Sequence, residues 1–260
     1  MKKVLLNINI FFEGAFLSYI ALFRWLQPAT YIATLIFAPI TQMLFFVLIG
    51  TFASGSANAS FYVIGNALMN AAMSGIYGVT MSIGGERWNG TLPYLFGAPA
   101  NRMAMFLGRS FMHIMNGMVG VIMGLIWGVI LFKLDLSNAD HIALLLTIFI
   151  TTFSTSGLGL LMGCVGLITR NVMFVNNFVY FLLLVFSGAN LNLTTSPQWM
   201  QNVSKFLPLT RGIKSARLII AGSSLQEVMP ILWEEIIIGL VLAFLGYLLF
   251  SWFEYVAKNP

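Results

Sequence analysis

Charge is the scarcest thing in this chain. Only 8% of its 260 residues are Asp, Glu, Lys or Arg, where soluble globular domains carry about 25%. Together with 59% hydrophobic residues and a mean hydropathy of +0.90, that scarcity excludes an ordinary water-soluble domain and places the chain in lipid. Cysteine is almost missing: the single Cys164, set in an apolar run, excludes an intrachain disulfide framework and a thiolate metal site, and reads as packing. Neither of the two histidines is placed to complete a metal site with Glu234-Glu235, and Ser156-Gly157 has no paired base, so protease chemistry within the membrane lacks its parts. No Gly-x-x-x-x-Gly-Lys-Ser/Thr loop occurs; Lys214-Ser215 lacks the upstream glycine, so ATP is not bound in that way. The first five apolar runs hold no carboxylate, Glu13 lying ahead of them, which weighs against proton-coupled transport. The net charge of +5 is no nucleic-acid footprint, because the basic residues stand singly at the ends of apolar runs.

What is there is long apolar segments. Taking about 20 apolar residues as one crossing, spans are predicted over 31–53, 61–83, 107–132, 142–168, 172–191 and 231–253. The chain is thus expected to be an all-α integral membrane protein, a single domain over 1–260 with six transmembrane helices. Residues 1–30 make no clean seventh span, since Glu13, Arg24 and Gln27 interrupt them and Pro28 closes them. An amphipathic helix in the interface fits better, and no small-residue cleavage site follows it, so it is expected to be retained. Lys2, Lys3, Arg24, Arg87, Arg102, Arg109, Arg170 and Lys258 gather on one side; the short loops opposite offer Lys133 against Asp135 and Asp140. The positive-inside rule then puts both termini in the cytoplasm.

Two polar stretches interrupt this pattern. Between spans two and three, over 84–106, lie Glu86-Arg87-Trp88-Asn89-Gly90-Thr91-Leu92-Pro93-Tyr94-Leu95-Phe96, then Ala98-Pro99-Ala100-Asn101-Arg102. Glu86 and Arg87 suit pairing with surface charges, the aromatic and leucine side chains suit an apolar groove, and Gly90 and Pro93 let the backbone turn. The bland reading is a solvated loop whose arginines anchor topology, but Trp, Tyr and Phe exposed there favour a docked partner. The second stretch, 192–230, predicts two short helices broken at Pro208, with Ser196 and Pro197 at the first start and the second reaching about Gly222. Such a pair reads as a re-entrant hairpin dipping into the outer leaflet, packed on the bundle or lining a cavity. Glu234 and Glu235 are expected at the outer mouth of span six, within reach of Arg211, Lys214 or Arg217.

In this arrangement the chain resembles the type-2 class of ATP-binding-cassette permeases, which includes drug, polysaccharide and lipid exporters. Four features carry the resemblance: the amphipathic helix before six spans, the Glu86 to Leu92 segment followed by Ala98 to Arg102, Phe186-Ser187-Gly188-Ala189 closing span five, and Leu207-Pro208-Leu209-Thr210. The last departs from the family's Asn-Pro-Leu-Thr, with Leu207 before the proline. The resemblance implies that Glu86, Arg87, Trp88, Thr91, Leu92 and Arg102 form a coupling element docking on a separate nucleotide-binding ATPase subunit. That subunit would bind ATP and magnesium, and this chain would bind no cofactor. It further implies a second permease copy or a paralogue, and alternating access that exports a hydrophobic or amphipathic substrate. A bacterial plasma membrane is the expected location.

Residues inside the bundle remain open to two readings. Asn66 and Asn70 share a helical face with Tyr77 nearby and would suit a cavity wall, although amides within spans more often serve helix-to-helix hydrogen bonds. The same applies to Asn116, Asn176, Asn177 and Asn190. His113 reads as an interfacial side chain, and the small residues Ser154, Ser156, Gly157, Gly159 and Gly163 as a close helix contact. Trp199, Pro208, Arg211, Glu234 and Glu235 mark the hairpin and the mouth beside it. Asn58-Ala59-Ser60 is a frequent three-residue pattern that matters only if lumenal in a eukaryote. A secondary transporter or channel without an ATPase is the rival reading, since six spans do not specify the energy source.

Overall fold

A computed structural model describes residues 2–25, 28–54, 58–88, 90–91, 94, 101–169 and 171–258. Among them every regular element is helical: α1 (Lys2–Trp25), α2 (Pro28–Ser54), α3 (Ala59–Ala72), α4 (Val79–Trp88), α5 (Arg102–Phe132), α6 (His141–Gly166), α7 (Val172–Phe186), α8 (Gln198–Ser204), α9 (Thr210–Ile220) and α10 (Leu225–Lys258). A π turn, Met73–Gly78, joins α3 to α4 without a break, and a 3-10 turn, Leu193–Thr195, precedes α8.

Short polar side chains set many of the boundaries. Asp140 caps α6 by accepting from the amides of Ile142 and Ala143 at 3.0 and 3.1 Å, and Asn101 and Asn171 cap α5 and α7 in the same manner. Pro28 opens α2, where its missing amide is no loss. Lys133 ends α5 in the left-handed region with φ of 54°, and Gly188 and Gly222 turn the chain after α7 and α9 with φ of 81° and 102°. In the loop between α5 and α6 the Ser137 hydroxyl and amide hold the Asp135 carboxyl below the usual carboxylate range.

The boundaries differ from the sequence reading in instructive places. The helix of the expected second span, α3 continued by the π turn and α4, runs on through Gly84 to Trp88, and α5 starts at Arg102, so both flanks of the 84–106 loop are helical. Gly84 allows this, because it faces the Gly166 Cα across a gap that a Cβ would close to 3.3 Å. α7 stops at Phe186, short of the expected 191, because Gly188 breaks it. α10 begins at Leu225 and carries Pro230 inside it, so the proline does not mark the start.

α6 is the axis of the bundle. Its Gly157 lies on the Gly239 carbonyl of α10, its Gly159 on the Gly75 carbonyl of the π turn and its Gly163 on Ile83 of α4, contacts that leave no room for a side chain. Three hydroxyls on this buried helix are satisfied within it: Thr151 donates to the Thr147 carbonyl at 2.6 Å, Thr152 to Ile148 at 3.0 Å and Ser156 to Thr152 at 2.7 Å. α1 lies along the start of α5, with Gly14 on Met105, Gly108 on Phe11 and the Phe11 and Phe111 rings 5.9 Å apart.

Three helical stretches, Ala104–Phe132, His141–Gly166 and Leu225–Phe253, are long and apolar enough to cross a bilayer, and Leu6–Leu17, Pro39–Ala53 and Val172–Phe186 are shorter apolar helices. Phe45, Phe52, Phe178, Phe244 and Trp252 stand exposed on α2, α7 and α10. Water would not tolerate so much apolar surface; lipid does, and the chain is a membrane protein.

Candidate functional site

The bundle holds an uncharged polar ladder. Asn66 of α3, 2% exposed, uses its whole amide: Nδ2 donates to the Tyr62 carbonyl at 2.9 Å and to Asn190 Oδ1 at 2.8 Å, while Oδ1 accepts from Gln42 Nε2 at 3.3 Å. Gln42 Oε1 accepts from the Tyr180 hydroxyl at 2.8 Å. The Tyr180 ring meets the Tyr77 ring edge-on at 5.8 Å, and Tyr77 donates to Asn177 Oδ1 at 2.6 Å. Four elements thus share one network: α2, α3 with its π turn, α7 and the segment behind it. The outermost rung, Asn177, is exposed on a face it shares with the exposed rings of Phe174, Phe178 and Phe181. A carboxamide on a membrane helix is costly against hydrocarbon, so this face suits protein or water better than acyl chains.

The ladder takes up two of the three residues expected on a cavity wall, Asn66 and Tyr77. Asn70 turns toward α5 instead, beside Gly120 and Gly124, and donates to the Ala67 carbonyl of its own helix at 3.0 Å. Gln42 and Tyr180 escaped the sequence reading; neither is charged nor in a motif, and the pair is separated by 138 positions. Asn176, fully buried, has both side-chain polar atoms without a partner. His113 is buried in the bundle, with its ring against Gly78.

At one end of the bundle the short helix α9 is held at its two ends by a buried glutamate and a half-buried arginine that do not pair with each other. Glu235, fully buried in α10, accepts from the Leu209 amide at 2.6 Å and from the Ser154 hydroxyl of α6. It thereby caps α9, where a carboxylate is favoured, and holds Leu209 at φ of 81°, a strained value for leucine. Arg217, at the other end of α9, donates to the Gly188, Ala189 and Phe61 carbonyls at 3.0, 3.1 and 2.8 Å, its guanidinium 3.6 Å from the Phe61 ring centroid. Of the expected glutamate pairs, Arg211 with Glu234 forms, at 2.6 Å. Pro208 is buried at the break between the helices, and Trp199 is exposed with its ring edge-on to Phe186 at 5.9 Å.

At the opposite end, α4 brings Arg87 onto the closing carbonyls of α6, Leu167 at 2.7 Å and Ile168, and Arg109 of α5 donates to the Ser82 carbonyl at 2.9 Å. A cation at a helix C-terminus is favourable there. Thr91 and Tyr94 are exposed, the tyrosine at 80%. Leu92 and the side chains of Glu86, Trp88 and Arg102 lie outside the described residues.

No curated protein matches the chain. The model of the ABC-2 type transporter family matches residues 5–221, from α1 through the hairpin, and so takes in the ladder, the cytoplasm-assigned segment after α4 and Arg217. With more than half of its length covered by that match, the chain belongs to the ABC-2 type transporter family and is an ABC permease.

Proposed function

We propose that this permease is the transmembrane subunit of an exporter, crossing a bacterial plasma membrane six times with both termini in the cytoplasm. The α8–α9 pair forms a re-entrant hairpin in the outer leaflet, and α1 lies in the inner interface. A separate nucleotide-binding subunit, holding ATP and magnesium, docks on the segment around Glu86, Arg87, Trp88, Thr91, Leu92 and Arg102. Two copies, or one with a paralogue, face each other across α7, and the Asn66–Gln42–Tyr180–Tyr77–Asn177 ladder lines the path between them. The cargo is a hydrophobic or amphipathic molecule, moved by alternating access.

The observation that carries the paired arrangement is Asn177: an exposed amide, bonded to Tyr77, in the middle of an otherwise apolar helix face. A second copy meeting this face would take the amide out of lipid. The test is oxidative crosslinking in native membranes, in a chain made cysteine-free by Cys164→Ala. Phe178→Cys, on the same face, is expected to give a disulfide-linked dimer, and Leu240→Cys, on the exposed side of α10, is expected to stay monomeric. Equal crosslinking at both positions, or none at Phe178→Cys, contradicts the pairing.

A further inference from the structure

The π turn Met73–Gly78 joins α3 to α4, with the ladder residue Asn66 before it, the ladder residue Tyr77 within it and the docking segment after it. Its two flanks are tied to different parts of the bundle. Above it, Asn66 is held by Gln42 and Asn190; below it, Arg87 is held by the end of α6. Tyr77, the ladder rung that bonds Asn177, is itself a residue of the turn, so the turn joins α4 to the ladder along the chain. A π turn carries one residue more than the α-helix needs, and one residue of helix amounts to about 100° of rotation and 1.5 Å of rise.

At its glycines the turn presents bare backbone to its neighbours, while its Ile76 side chain is fully buried in the core. Gly75 lies against the backbone of Thr155 and Ser156, the Gly75 carbonyl rests on Gly159, and Gly78 lies under the His113 ring. Hydroxyls reach across to it: the Thr155 hydroxyl lies 3.1 Å from the Ala71 carbonyl just upstream and shares its one proton between that oxygen and the Thr151 and Thr152 carbonyls of its own helix at 3.0 and 3.1 Å, and Ser74 donates to the His113 carbonyl at 2.7 Å. Single hydrogen bonds of this kind exchange partners at small net cost.

We infer that the π turn Met73–Gly78 is a slip joint: when α4 is displaced at the docking end, the surplus residue moves along the helix, Tyr77 rotates off Asn177, and the ladder opens while Asn66 stays fixed. What drives α4 is taken from the permease reading above; the joint itself is a property of the isolated chain.

Hydrogen exchange on the chain in lipid nanodiscs tests it. The amides of the turn are expected to exchange about tenfold or more faster than those of Ile64–Met69 in α3, although both lie at membrane depth. Thr155→Val removes the hydroxyl from the Ala71 carbonyl at nearly constant volume and is expected to speed exchange in the turn by about fivefold, leaving α3 unchanged. Deletion of Met73 removes the surplus residue, and the turn is then expected to be as protected as α3. Uniform protection in the native chain, or a turn indifferent to Thr155→Val, overturns the proposal even if the deletion variant fails to fold. Adding an ATPase partner trapped with ATP and vanadate should change exchange in the turn. If no such partner binds, the permease reading fails, while the measurements on the isolated chain still decide the joint.

Discussion

At the scale of single residues, Glu235 and Arg217 hold the two ends of α9 through backbone groups, and their conservative variants separate charge from hydrogen bonding. Glu235→Ala leaves the Leu209 amide and the Ser154 hydroxyl buried without their acceptor, a loss of about 3 kcal/mol. Glu235→Gln keeps an acceptor oxygen for both and is expected to cost about 1 kcal/mol. For a chain of this size, thermal denaturation in detergent should fall by about 6–12 °C for the alanine variant and by about 2–4 °C for the glutamine. Equal shifts would mean that the carboxylate does not cap α9. Arg217→Lys is expected to destabilise by about 2 kcal/mol despite keeping the charge, because an ammonium cannot span three carbonyls and stack on Phe61 as the planar guanidinium does. The same thermal measurement checks it, and a lysine variant as stable as the native chain contradicts the clamp.

At the scale of elements, α6 governs packing through its glycines. Gly159→Val would drive a side chain into the Gly75 carbonyl and is expected to cost about 2–3 kcal/mol. Gly120→Ala on α5 meets a single atom, Asn70 Cβ at 3.3 Å, and is expected to be tolerated. Thermal denaturation of the pair distinguishes a close helix contact from a merely small-residue helix. Much of this scale could be read from the chain itself: Asn101 and Asp140 sit immediately before long apolar runs and cap them, and the break at Pro208 separates the two short helices as expected. The π turn was not legible, because Gly75 and Gly78 look the same as glycines that merely let helices approach. The helical stretch Gly84–Trp88 read as loop, since its glycines and charges lower local apolarity while its packing on α6 comes from residues far along the chain. The ladder hid for the same reason. Asn66 could be picked out by residue type, but its partners Gln42 and Asn190 are 24 and 124 positions away, and nothing local marks them.

At the scale of the whole molecule, the distribution of surface explains the division of labour. α10 turns Trp233, Leu240, Phe244, Leu248 and Trp252 outward, as a lipid-facing helix does, while α7 exposes an amide among its phenylalanines and the α4 end exposes Tyr94. At the α4 end of the bundle Arg87 ties α4 to the closing carbonyl of α6 and Arg109 ties α5 to α4. The central claim, that a separate ATPase drives this permease, is tested most directly by copurifying the tagged chain with the ATPase encoded beside it. The same preparation is repeated with Glu86→Ala combined with Trp88→Ala. The account expects the native chain to bring down an active ATPase and the double variant to retain about tenfold less of it. A native chain that purifies alone, or a variant that holds the ATPase equally well, would contradict it.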